Sequence, residues 1–162
     1  MLVMALSGIL GALAMPHYRH LMDRTRLAAA TNDFYQAVHL ARSEAMKRGV
    51  RVDLVPAAAQ DWRHGWVVLV DANNNQQVDP GELVLHQSLP PHQDLRITAS
   101  LRDAKKAYLA FDASGRPRSI LSSALPQIGS FLFSVGAQKR KIVIGFLGRL
   151  RSCDPDRAGT AC

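Results

Sequence analysis

Two arginines near the end of the chain, Arg149 and Arg151, sit in the run Gly148-Arg149-Leu150-Arg151. In an extended backbone, residues two apart project from the same side at about 6.6 Å separation. Two planar guanidinium forks so placed can each take a phosphate oxygen pair, and Gly148 lets another backbone approach. The chemistry they suggest is polyanion binding. Further cations lie nearby in sequence: Lys139, Arg140 and Lys141 on an expected turn, Lys105 and Lys106 with Arg102, and Arg116 and Arg118 around Pro117. Each group alone reads as a solvated loop. Together they could line a groove that adds phosphate contacts, whose mark is a steep loss of affinity with salt. Positions 139–141 rank first among them, being nearest the tail.

The distribution of charge supports this reading. Residues 1–100 hold nine basic and nine acidic side chains, whereas residues 101–162 hold eleven basic and four acidic ones, so the whole net charge of +7 belongs to the C-terminal part. A polyanionic partner meets that end. Aromatic residues make up 6% of the chain and none is interleaved with the cation clusters. Contact is therefore expected with a phosphate backbone, with poor sequence selectivity and no base stacking. Trp66 opens an apolar run and belongs to a core, while Trp62 is expected to be the more exposed of the two tryptophans.

Residues 71–82 invite a different chemistry. Asp71, Asn73, Asn75, Gln77, Asp79 and Glu82 fall at positions 1, 3, 5, 7, 9 and 12 of an EF-hand-type calcium loop. Against calcium, position 6 is Gln76 where glycine is needed, Pro80 stiffens the exit, and the flanks read as strands. A polar hairpin loop accounts for the same residues. The six histidines include no HExxH pair, and there is no nucleophile elbow, P-loop or GxGxxG, so no enzyme is expected and no cofactor beyond possible calcium. Cys153 and Cys162 are spaced for a small disulfide loop, or stand as two free thiols.

These residues need a scaffold. At 162 residues, with 48% hydrophobic and 20% charged side chains, the chain is one domain's worth and is not disordered as a whole. Residues 1–15 carry no charge, but a helix over them reaches only about 22 Å, short of a bilayer's hydrocarbon core of about 30 Å. Pro16 bends the path. From Leu21 to Arg48 an amphipathic helix continues, with Leu27, Ala30, Phe34, Val38, Ala41 and Ala45 on one stripe and Gly49 as its stop. Strands are expected at 51–55, 66–70, 82–87, 95–99, 107–111, 130–135 and 141–146. Helix first and strands afterwards predict an α+β fold, a long N-terminal helix packed on antiparallel sheet. The organisation is then an apolar segment at 1–20, an amphipathic helix at 21–49, a β-rich head at 50–152 and a tail at 153–162.

Residues 2–49 resemble the N-terminal region of type IV pilins and pseudopilins, and LARSEAMKRG at 40–49 is similar to the GspH/FimT family in particular. The likeness continues through GWVVLVD at 65–71, Gly81-Glu82 and LAFDASGRPRS at 109–119. Members begin with a prepilin-peptidase site that precedes this sequence, so the resemblance implies further residues upstream and a full membrane crossing. The positive-inside rule alone, applied to Arg19, Arg24 and Arg26, would leave the head in the cytoplasm; the resemblance implies a single-pass inner-membrane protein with its head in the periplasm. Members often carry a first-strand cysteine absent here near Leu54, which leaves Cys153 and Cys162 to pair with each other. Gly148-Arg149-Leu150-Arg151 resembles the GRxR element of FimT-type members, which implies DNA as partner in natural transformation, with other pilins as filament partners. A GspH-like subunit of a type II secretion filament, without DNA binding, is the alternative, and a calcium-stabilised interaction module a third.

Overall fold

Spacings of three and four residues along the apolar stripe become one face of α1 (Leu2–Arg48), which runs through Pro16 without interruption. The structure is a computed structural model that describes residues 2–122 and 125–157, with side chains from Tyr18 onward. Leu27, Thr31, Phe34, Val38, Ala41 and Ala45 are all buried on that face. Thr31 stays there because its hydroxyl donates to the Leu27 carbonyl at 2.7 Å, which removes the cost of a bare buried hydroxyl. Gly49 ends the helix as expected: its φ is +67° and its amide donates to the Ala45 carbonyl at 3.0 Å. Among the described residues, no helix is long and apolar enough to cross a membrane.

Among the described residues nine strands follow, all paired antiparallel, so the fold is α+β. They are β1 (Val52–Pro56), β2 (Trp66–Val70), β3 (Leu83–Gln87), β4 (Arg96–Leu101), β5 (Leu109–Phe111), β6 (Pro117–Arg118), β7 (Gly129–Val135), β8 (Gln138–Ile144) and β9 (Leu150–Cys153). One sheet has the order β3-β2-β1-β5-β6 and the other β4-β7-β8-β9. Two strands fall outside the expected set. β6 has only two residues, too short for a period-two signal, and β9 turns part of the supposed tail into a sheet edge. The β8 strand starts three residues earlier and ends two earlier than expected, because Gly145 begins a turn.

Both sheets pack on α1. Phe34 is the centre of that contact, fully buried with ring centroids 4.6–5.6 Å from Trp62, Trp66, Phe131 and Phe133. Trp62 is the more exposed of the two tryptophans, as expected, but at 4% it is buried too, held in a short 3₁₀ turn (Trp62–His64) that tucks the indole under Phe34 and Phe131. Trp66 is in the core as expected.

β1 is buried along its whole length because both faces of the five-stranded sheet are covered. Val52 and Leu54 face α1, while Val55 joins Val67, Leu69, Tyr108 and Ala110 in a second small core behind. Asp53 is carried into that back layer. Arg51 grips it with two bonds of 2.7 and 2.8 Å, and Arg51 also lies 5.9 Å from the Tyr108 ring centroid. Burial pushes the Asp53 carboxyl up to about 6, against the pull of Arg51 and with a further push from buried Asp71.

The folded state therefore binds this proton more readily than the unfolded chain does. The stability it contributes is present at low pH and is lost as pH rises through about 6. Asp112 has the opposite sign. Burial raises it, but the Ser114 hydroxyl, the Arg118 guanidinium and two amides outweigh burial and hold it at about 2. Its contribution is present above the ordinary carboxylate range and fades as pH falls through about 2. Melting temperatures measured from pH 3 to 7.5 are expected to fall more for the native protein than for Asp53→Asn, with the divergence growing from the ordinary carboxylate range upward and levelling off above about 6.

Candidate nucleic-acid interface

Edge strand β9 exists because β8 folds back on it through a three-residue loop. The Gly148 amide donates to the Gly145 carbonyl at 2.9 Å, the Gly145 amide donates to the Arg149 carbonyl at 3.0 Å, and Gly148 has φ +75°. This is the tight turn followed by a left-handed glycine that commonly closes such hairpins. β9 then pairs with β8 in the register Ile144↔Leu150, Val143↔Arg151, Ile142↔Ser152 and Lys141↔Cys153.

Alternation does the sorting. Leu150 points into the core with Ile142 and Ile144, so Arg149 and Arg151 point the other way and both are exposed. Among the described residues neither guanidinium has an ion pair or hydrogen bond, and no carboxylate opposes them. Lys141 shares their face, one residue pair along from Arg151 and so within about 8 Å by diagonal strand geometry. Lys139 lies further along the same face, 3.1 Å from Asp156, which offsets its charge.

The remaining cations do not complete a single groove. The segment 139–141 is strand, not turn, so Arg140 faces the helix side opposite Phe133 and parts company with its neighbours. Arg118 is bound by Asp112 at 2.6 Å. Lys106 donates to the Asn75 carbonyl at 2.8 Å and the Gln76 side-chain oxygen at 3.1 Å, and so anchors a loop. Lys105 is exposed but follows β4, the opposite edge of the four-stranded sheet, three strand spacings or about 14 Å from β9. Arg116 is exposed on the β5–β6 turn, whose Gly115 carbonyl touches the β8–β9 turn, so it does join this end of the molecule.

Gly148 does let another backbone approach, and that backbone is the protein's own. Gly148 is buried, and a Cβ there would meet the Gly115 carbonyl at 3.0 Å with Phe111 and Pro117 at 3.4 Å. This close approach joins the two sheets. The Gly148 carbonyl accepts from the Arg42 Nη1 at 3.3 Å, which ties α1 to the turn. Arg42 was legible only as one more polar residue of an amphipathic helix, since its partner lies 106 positions away. Gly148→Ala is expected to destabilise the protein by about 1–3 kcal/mol through φ strain and the carbonyl contact. A denaturant midpoint measures this.

The loop between β2 and β3 is a polar hairpin connection. Asp71 accepts from the amides of Asn75 and Gln76, Asp79 from the side-chain amides of Asn73 and Asn75, and Glu82 from the amides of Ala72 and Asp79. The carboxylates that a calcium ion would need already serve the loop, and the Lys106 ammonium sits against it. Among the described residues no group of three or more His, Cys, Asp or Glu is placed to hold a metal. Cys153, at the end of β9, is engaged in a disulfide; Cys162, its expected partner, lies outside the described residues.

Comparison with known proteins agrees with this architecture. Residues 30–148 match the family described as Type II transport protein GspH. The pilin-like protein PilA1 of Thermus thermophilus is 30% identical over 155 residues, which cover 93% of this chain and 92% of that protein. The type IV minor pilin FimU of Pseudomonas aeruginosa superposes with a TM-score of 0.59 at 19% identity, over 86% of this chain and 97% of FimU. The minor pseudopilin EpsH of the Vibrio cholerae type 2 secretion system does so with a TM-score of 0.53 at 15% identity, over 82% of this chain and 99% of EpsH. Those two likenesses speak for the fold, whereas the family match and the PilA1 relationship cover most of the sequence: the chain belongs to the GspH family of type IV pilin-like proteins.

Proposed function

We propose that this protein is a minor subunit of a type IV pilus whose β9 edge holds DNA by phosphate contacts during uptake in natural transformation. One observation carries the reading. In a C-terminal part with eleven cations, Arg149 and Arg151 stand exposed on one face of an edge strand with no carboxylate partner among the described residues, while Arg118 and Lys139 are paired off. The site works as a docking rail, with the filament supplying the movement. The apolar start of α1 would sit in the inner membrane before assembly, in a single pass with the head in the periplasm, and among neighbouring pilins afterwards.

A second reading follows from the match of residues 30–148 to a type II transport family. There the same fold caps a secretion filament and the cationic edge meets protein. The two part on one measurement. Titration of the full-length chain with labelled duplex DNA across a salt series is expected to give three to four phosphate contacts, a slope of about −3 in log affinity against log salt. Negligible binding at low ionic strength would discard DNA holding and leave the secretion reading.

A further inference from the structure

The tip of the β8–β9 hairpin is apolar, the reverse of what a solvent-exposed turn normally carries. Phe146 is 56% and Leu147 57% exposed. Of the chain's five phenylalanines the other four, Phe34, Phe111, Phe131 and Phe133, are completely buried. Phe146 is thus set apart, and its setting is cationic. Arg149 follows in the same hairpin, and Arg116 comes from the adjoining β5–β6 turn, whose Gly115 carbonyl packs against Gly148. The tip is also held stiffly. Two backbone hydrogen bonds close the loop, buried Gly148 wedges between the sheets, and Arg42 clamps its carbonyl.

We propose that Phe146 is a stacking platform for unpaired nucleobases, which makes the β9 site a reader of single-stranded nucleic acid as well as a phosphate clamp. This rests on the DNA-holding reading and deepens it. An exposed aromatic ring beside unopposed guanidinium groups is the pairing that single-strand sites use, the ring taking the base and the cation the adjacent phosphate. In duplex DNA the bases already stack on each other, so the ring gains nothing there beyond a frayed end. Charge complementarity favours a nucleic acid over a neutral protein groove as the occupant, because any apolar partner seated on Phe146 and Leu147 must also face Arg149 and Arg116.

The test uses the full-length chain and two labelled strands of equal length, oligothymidylate and an abasic deoxyribose-phosphate strand, at the same salt. The native protein is expected to bind the thymidylate strand about tenfold more tightly than the abasic one. Phe146→Ala is expected to remove that preference and leave abasic binding unchanged, and Phe146→Trp to retain it. Equal binding of both strands by the native protein, or a preference that survives Phe146→Ala, overturns the stacking proposal while the electrostatic reading stands. Failure of both strands and of duplex DNA to bind overturns the parent reading and this one together. Unaltered DNA binding by Phe146→Ala with lost co-assembly of filament subunits overturns the proposal in favour of a protein contact.

Discussion

Replacing Arg149 and Arg151 together with glutamine is expected to weaken duplex DNA binding about tenfold or more at 50 mM salt, and to flatten the salt dependence by nearly two counterions. Both side chains are exposed, Arg151 on β9 and Arg149 on the residue just before it, and neither has an internal partner to lose among the described residues. Folding should therefore be untouched, with thermal midpoints within about a degree or two. The informative control removes the same two charges elsewhere. Arg102→Gln with Lys105→Gln changes net charge equally but acts around β4, the opposite edge of the sheet. If both double variants lose the same affinity, the protein binds DNA through its overall field and β9 is not a site. A full loss confined to the Arg149 and Arg151 variant places the contact on the edge strand.

Phe34→Ala should have the largest effect on stability, about 3–5 kcal/mol. Phe34 is fully buried and touches two tryptophans and two other phenylalanines. Trp66 belongs to the five-stranded sheet, and Phe131 and Phe133 to the four-stranded one. Removing the ring therefore opens a cavity where the helix joins both sheets, and neither can move in to fill it without leaving the other. Against a typical total of about 5–15 kcal/mol, this loss brings the head close to its unfolding threshold. A denaturant titration followed by tryptophan fluorescence checks it, since Trp62 and Trp66 both report on that contact. A loss below about 1 kcal/mol would mean that α1 does not organise the two sheets.

The elements themselves were largely legible before the structure. The α1 stripe, its glycine stop and the order of helix before strands follow from periodicity and composition, because burial of one helix face imposes a 3.6-residue rhythm that the chain must display locally. Seven strands show themselves as short β-prone runs bounded by turn residues. β9 carries little such signal, since Leu150-Arg151-Ser152-Cys153 has no alternating apolar pattern and shows its nature only beside β8. The sequence puts Phe146 at the end of an apolar strand, whereas the glycines at 145 and 148 stop the strand and lift the ring out on a tight loop.

What the amino-acid sequence alone determined was the α+β order of elements, the helix face that becomes core, and the gathering of positive charge beyond residue 100. Tertiary structure alone decided which of those cations are free. Arg118 meets Asp112 across a turn, Lys139 meets Asp156 across 17 positions, and Lys106 reaches back 31 positions to the β2–β3 loop. Arg149 and Arg151 meet no carboxylate among the described residues. The physical reason is range. Periodicity is imposed on neighbours along the chain, but the neutralisation of a charge is settled within a few ångströms of space, between residues that only the folded sheets bring together.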